Sequence, residues 1–213
     1  MACTGMKAAA VNMQINNQSD TGENSQARGL RVLLCDPAGA VNQPAGAGEE
    51  RVASPLRCLD RATDRRPAII VLRFGNLPVR EQEALLELSA LLKRNRHTRS
   101  IPVLALLPAK HRKLLENLRQ AGVDFAHHAG EIALDAQQIR AIIAGLGPED
   151  RLARQLATLC PFLHYNSIDP HHEMTVCGAY LDRMVLGGRR LREICGTGDH
   201  LRCEYYLNPR RSA

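Results

Sequence analysis

Three short aliphatic runs constrain this chain more than any other feature: Val32-Leu33-Leu34-Cys35, Ala68-Ile69-Ile70-Val71-Leu72, and the stretch from Ile101 to Leu107. Each is bounded by turn residues, Pro37 after the first, Pro67 before the second, Pro102 and Pro108 about the third. Continuous apolar runs of this length fit strands buried on both faces. Between and after them the spacing changes to that of helices, with Leu85, Leu88 and Leu92 on one face and Leu114, Leu115 and Leu118 on another that stops at Gly122. Val123-Asp124-Phe125-Ala126 reads as a short last strand, and Asp135 with Gln138 as a capping box opening a helix whose inner face is Ile139, Ile142 and Ile143. Strands alternating with helices predict a parallel sheet covered on both faces. Residues 37–50 are rich in Ala, Gly and Pro, so an ordinary first helix is not expected there.

At 213 residues the chain suits one domain plus a smaller unit. Aromatic residues are only 3%, so the core must be aliphatic. Residues 1–28 lack apolar periodicity and read as a disordered tail; 29–146 form the α/β domain. From 148 to 213 the chain reads as a helix, with Pro148 at its start and Leu152, Leu156 and Leu159 on one face, followed by a cysteine-rich module. No stretch reaches the roughly 18 uninterrupted apolar residues of a membrane span, and no export signal opens the chain, so a cytoplasmic location away from membranes is expected.

Four of the seven cysteines, Cys160, Cys177, Cys195 and Cys203, fall within one short C-terminal stretch. In a reducing compartment such a set points to metal rather than to disulfides. A small unit with few large apolar side chains gains from a metal cross-link what burial does not supply. Four thiolates suit tetrahedral zinc or an iron–sulfur cluster. Structural zinc usually takes its thiolates from Cys-x-x-Cys knuckles, and none occurs here, so the reading favours iron–sulfur over zinc. His200 stands three residues before Cys203, placed to orient the site or to replace one thiolate as ligand. The Cys160-Pro161 start and the His200-Leu201-Arg202-Cys203 end resemble bacterial four-cysteine modules found beside signalling domains.

Arg66 to Leu72, Asn76-Leu77-Pro78, Thr98 to Leu106 and Ala121-Gly122-Val123-Asp124 resemble the receiver domain of bacterial response regulators over residues 31–144. The resemblance implies a flavodoxin-like, doubly wound parallel sheet. It also implies a phosphorylation site in which an aspartate ends the third strand, an acidic pair follows the first, and a lysine ends the fifth. Here those positions carry Arg73, the pair Cys35-Asp36, and His127 or His128, so Asp36, Arg73 and His128 make a degenerate site and phosphotransfer is expected to be lost.

The expectation is therefore a non-catalytic signalling protein, a receiver-like α/β domain coupled to a four-cysteine iron–sulfur or zinc module with a redox-sensing role and a protein partner. The formal charge of +6 and the cluster Arg189, Arg190 and Arg192 leave a second reading, a regulator that contacts nucleic acid through the basic cysteine module. A cysteine enzyme with His200 as base is the weakest reading, because no oxyanion motif or orienting triad is legible.

Overall fold

The computed structural model describes residues 31–39, 45–46, 48–75, 77–130, 134–169, 172–181 and 184–210. The expected tail at 1–28 lies outside the described residues.

The aliphatic runs form the middle of a five-stranded parallel sheet. Its strands are β1 (Val32–Cys35), β2 (Glu49–Val52), β3 (Ile69–Arg73), β4 (Val103–Leu107) and β5 (Phe125–His128), in the order β2-β1-β3-β4-β5. Every strand pair is parallel, with Val32 opposite both Glu49 and Ile69, and Leu104 opposite Phe125. This order is that of the flavodoxin-like doubly wound fold, in which the carboxyl ends of the strands form the usual binding edge.

Alternation along each strand divides the core between two faces. On one, Leu33, Cys35, Ile70, Leu72, Ala105 and Leu107 meet α1 (Pro55–Arg65), α2 (Val79–Arg94) and α3 (Arg112–Gln120) through Cys58, Ala62, Leu85, Leu88, Leu92, Leu115 and Leu118. On the other, Val32, Leu34, Ile69, Val71, Leu104 and Leu106 meet α4 (Ala136–Ala144) through Ile139. Every residue of β1 and β4 is buried, as strands covered from both sides must be.

Local chemistry fixes the helix ends. The capping box of α4 forms as expected: the Gln138 backbone N–H donates to Asp135 and the Asp135 N–H to the Gln138 side chain. Gly122 follows α3 at φ +83°, where a side chain would be strained and would also press on Lys93. Lys93 closes α2 by donating to Asp124 at 2.6 Å, and the same carboxylate oxygen accepts the Val103 N–H at 2.8 Å. The charge that ends the helix thus also sets the start of β4.

Sequence reading missed β2 and α1. The only apolar residue of β2 is Val52, and α1 buries just Cys58 and Ala62, so neither carries a stripe that marks it. Among the described residues of 37–48 no helix forms, in line with their composition.

Helix α5 (Leu152–Ala157) follows, and Leu152, Leu156 and Leu159, on the one face their spacing predicts, join the core beneath the first sheet face. The chain then makes a small antiparallel sheet of β6 (Leu163–Ser167), β7 (Glu173–Cys177) and β8 (Met184–Val185). Helical turns at Gly188–Arg190, Leu191–Cys195, Gly198–Arg202 and Glu204–Leu207 complete it. A third apolar cluster gathers Cys160, Leu163, Cys177, Ala179, Leu186 and Cys195. Among the described residues, no helix is long and apolar enough to cross a membrane.

Leu85 is fully buried against the sheet. Replacing it with Ala is expected to cost about 2–5 kcal/mol, read as a lower urea midpoint at unchanged slope.

Candidate functional site

At the carboxyl edge of the sheet, Asp36 leaves β1 and Arg73 ends β3, which places both side chains over adjacent strand ends. The Arg73 guanidinium donates from Nη1 to Asp36 Oδ2 at 3.0 Å, with both side chains largely buried. The second carboxylate oxygen, Oδ1, is buried without a hydrogen-bond partner. The edge is thus closed by an internal ion pair, a cation standing where the receiver resemblance places a phosphate-accepting carboxylate.

His127 and His128 end β5 on the same edge. His127 Nδ1 lies 3.0 Å from Asp150, and His128 Nε2 lies 3.1 Å from Gln155 Oε1. Burial lowers the His128 pKa below its usual value, against the opposing pull of Gln155. His127 is turned toward the segment leading into α5 and His128 toward α5 itself, so Asp36 and Arg73 meet each other while His128 is engaged elsewhere.

Cys35 and Cys58 face one another within the first core and are both fully buried. The hydrogen bond to Cys35, then burial, holds the Cys58 thiol far above its usual pKa. They serve there as small apolar side chains.

The four C-terminal cysteines are brought to one region by three separate devices. The Cys160 N–H donates to the Cys195 carbonyl at 2.8 Å, joining the chain after α5 to the turn Leu191–Cys195. Cys177 ends β7 opposite Leu163 on one side and Met184 on the other. Cys203 follows the turn Gly198–Arg202, where Arg190 reaches its Sγ from Nη2 at 3.7 Å.

All six cysteines within the described residues are free thiols. Burial raises the Cys160 thiol, and Cys177 and Cys203 raise it further. Burial pushes Cys195 up to about 11, with Cys160, Cys177 and Cys203 adding to the shift. Cys203 goes the other way. Its partial burial opposes ionisation, yet the Tyr206 backbone N–H and the Arg190 guanidinium bring its pKa below the usual value. Cys160 and Cys195 thus both lie within the electrostatic reach of Cys177 and Cys203. Even so, as they stand, no group of three or more His, Cys, Asp or Glu side chains among the described residues could hold a metal ion.

His200 is buried and bonded through Nδ1 to the Thr197 carbonyl at 2.6 Å, with its ring edge-on to Tyr206. A carbonyl partner fixes the proton on Nδ1 and leaves Nε2 as an acceptor, the tautomer that a ligating or orienting histidine requires. The three arginines of the basic cluster separate. Arg189 pairs with Glu193 at 3.0 Å, Arg190 turns inward onto Cys203 and the Tyr205 ring, and Arg192 is exposed. His171 lies outside the described residues, and His172 is held by Asp169 at a hairpin tip.

Sequence reading did not find the residues that join the two sheets. The Arg112 N–H donates to the Tyr165 hydroxyl at 3.0 Å, and its guanidinium donates to the Leu159 carbonyl at 2.9 Å. His111 stacks on Tyr165 with ring centroids 3.8 Å apart and reaches Glu173 at 2.9 Å. These partners are some fifty residues apart in the chain (|i−j| 53 for Arg112 and Tyr165), and no local pattern links them.

No protein-family profile matches the chain, and no curated protein matches it. Among solved structures it is similar to a response regulator from Desulfuromonas acetoxidans, at 22% identity and a TM-score of 0.37, over 54% of this chain and 93% of that one. That match is weak and partial; the sheet order itself gives the flavodoxin-like topology.

Two expectations follow from these contacts. Arg73→Leu, which strands the buried Asp36 carboxylate, is expected to cost about 3 kcal/mol in urea unfolding, and the double change with Asp36→Asn distinctly less. Because the His128 pKa is lowered on folding, its contribution is fully present above the usual value of 6.5 and declines as pH falls below it. His128→Gln is therefore expected to lose less stability than the parent chain when urea unfolding is repeated on either side of that value.

Proposed function

We propose that this protein is a non-catalytic regulator in which a receiver-like domain without phosphorylation chemistry is coupled to a four-cysteine metal site, an iron–sulfur cluster being the preferred occupant and zinc the other. The observation that carries the reading is the gathering of Cys160, Cys177 and Cys195 in one small apolar cluster, with Cys203 near enough to raise the Cys160 and Cys195 thiols. The donor set fits: four soft sulfur ligands, three of them buried, with Arg190 positioned to stabilise negative charge on the fourth. Because the side chains do not converge as they stand, loading entails movement of the thiols.

When bound, a cluster would supply one-electron redox chemistry and a cross-link among four chain segments. The chain's own residues would carry the consequence to the first sheet. Cys160 directly follows Leu159, whose carbonyl is held by Arg112, and Cys177 is paired to Leu163 in the strand that presents Tyr165 to the Arg112 N–H. Rearranging the thiols therefore bears on the half-buried N-terminus of α3, through which a protein partner of the domain would read it. The Arg73–Asp36 pair supports the absence of phosphorylation control, since it fills the strand-edge position with a cation already neutralised from within. A shared arginine face for nucleic acid finds no support, because Arg189 and Arg190 are turned to different partners.

The test is anaerobic purification of the full chain with visible spectroscopy and analysis of iron, sulfide and zinc, repeated after changing each of the four cysteines to Ser. Broad visible absorption with iron and sulfide, lost in every variant, is the expected result. Colourless protein with one zinc overturns the redox role and leaves a structural module. Protein that takes up neither metal overturns the site.

A further inference from the structure

The strand ends opposite the Asp36–Arg73 pair carry a different charge pattern. In a parallel sheet every strand starts at one edge, so the segments entering β1, β3, β4 and β5 lie side by side there in the order of the sheet. Arg31 precedes β1, Arg66 precedes β3, Arg94, Arg96 and Arg99 precede β4, and Arg119 precedes β5. All six are exposed. The backbone beneath them is fixed. The Ala68 N–H donates to the Arg31 carbonyl at 2.9 Å, which sets Arg31 beside the turn at Arg66. Lys93 donates to the Ile101 carbonyl at 2.9 Å and to Asp124, tying the entry of β4 to that of β5. The buried Thr98 hydroxyl donates to the Leu92 carbonyl at 2.7 Å inside the turn that carries Arg96 and Arg99.

Carboxylates at this edge are few and mostly matched: Glu49 by Arg51, Glu50 by Arg61 and Asp124 by Lys93, leaving Asp64 unpaired among the described residues. None of the six arginines has an ion pair among the described residues. The helix dipole accounts for Arg94 and Arg119, in the last turns of α2 and α3. It does not account for Arg31, Arg66, Arg96 and Arg99, which lie outside the helices. Like charges gathered on one edge destabilise the folded chain, and a line of negative charge laid along that edge relieves the repulsion. A polyanion asks only for cations spread along a surface, with no convergence on a point.

We infer that the amino-terminal edge of the sheet binds the phosphate backbone of a nucleic-acid duplex through these six arginines, without reading its sequence. Strands spaced by about 4.8 Å put the entries of β1 and β5 roughly 14 Å apart, a length along which a duplex carries about eight phosphates. Arginine suits the role because its planar fork bonds two phosphate oxygens at once. Helices α1, α2 and α3 all end at this edge, so none presents the N-terminal turn with which a recognition helix reads a groove. A single strand would use aromatic stacking, and segments 66–68, 94–102 and 119–124 hold no Phe or Tyr. A membrane surface would also take apolar side chains, yet of the exposed large ones in this domain Leu56 and Val79 open their helices at the far end, and only Leu91 lies near. The surface is apart from the arginines of the cysteine-rich segment and needs no metal.

The test is fluorescence anisotropy of the full chain with a labelled DNA duplex of about 20 base pairs between roughly 50 and 200 mM salt. Log affinity is expected to fall against log salt with a slope of about −4 or steeper, and a duplex of scrambled sequence to bind within about threefold. Changing Arg66, Arg96 and Arg99 together to Gln is expected to weaken binding at least about tenfold and to flatten the slope by about 3, without lowering the thermal unfolding midpoint. The matched variant, with Arg189, Arg192 and Arg202 changed to Gln, removes as many charges from the second region and is expected to stay within about threefold of the parent. No binding at the lowest salt overturns the proposal. So does equal weakening in the two triple variants, which reduces the effect to net charge, and so does tighter binding to a single strand or to vesicles containing anionic lipid.

Discussion

A parallel sheet tolerates no face in water, and the rest of this molecule depends on that constraint. Strands β1 and β4 are buried at every residue, so the chain must return over one face and then the other between strands. The consequence is a polarised domain. All five strands point the same way, their carboxyl ends share one edge, and the groups with chemical character collect there: Asp36 after β1, Arg73 at the end of β3, and the histidines at the end of β5. What distinguishes this edge is its self-sufficiency. The cation and the carboxylate that a ligand would otherwise engage are already bound to each other.

The second region is held together differently. Its sheet has three strands, one of only two residues, and its apolar cluster is made largely of cysteines and half-buried aromatics. Burial on that scale is modest, which makes the thiols prominent in whatever holds the region in shape. The link to the first sheet is directional, running through main-chain and side-chain bonds at Arg112 and a stacked ring pair at His111 and Tyr165. Such bonds couple the geometry of two regions more tightly than apolar contact does, because they have an orientation to lose.

Legibility in the sequence followed the strength of the hydrophobic pattern. Strands β1, β3 and β4 were plain, since they are aliphatic throughout, and the helices with leucine stripes were equally so. Strand β2, Glu-Glu-Arg-Val, was invisible because an edge strand keeps much of its polar surface, and β6, Leu-His-Tyr-Asn-Ser, was invisible for the same reason. The four cysteines stood out in the sequence because residue type and local density survive without a fold, but whether their side chains converge does not, and as they stand they form no ligand group among the described residues. The inward turn of Arg190 and the gathering of Arg31, Arg66 and Arg119 with the arginines before β4 were not legible either. Whether an arginine meets solvent, a thiol or another cation is decided by segments that only folding brings together.

The bond from Arg112 to the end of α5 bears on the order in which the molecule is assembled. Carbonyls at the end of α5 and just beyond it, of Leu156 and Leu159, find their donor at Arg112 on α3, so the chain reaches Cys160 from a fixed point on the first domain. During synthesis every strand of that sheet has been made before Cys160 exists. Where the first domain folds as a unit ahead of the segment that follows it, the cysteines reach a scaffold whose strands are all in place, and Cys160 meets it at a point that Arg112 fixes.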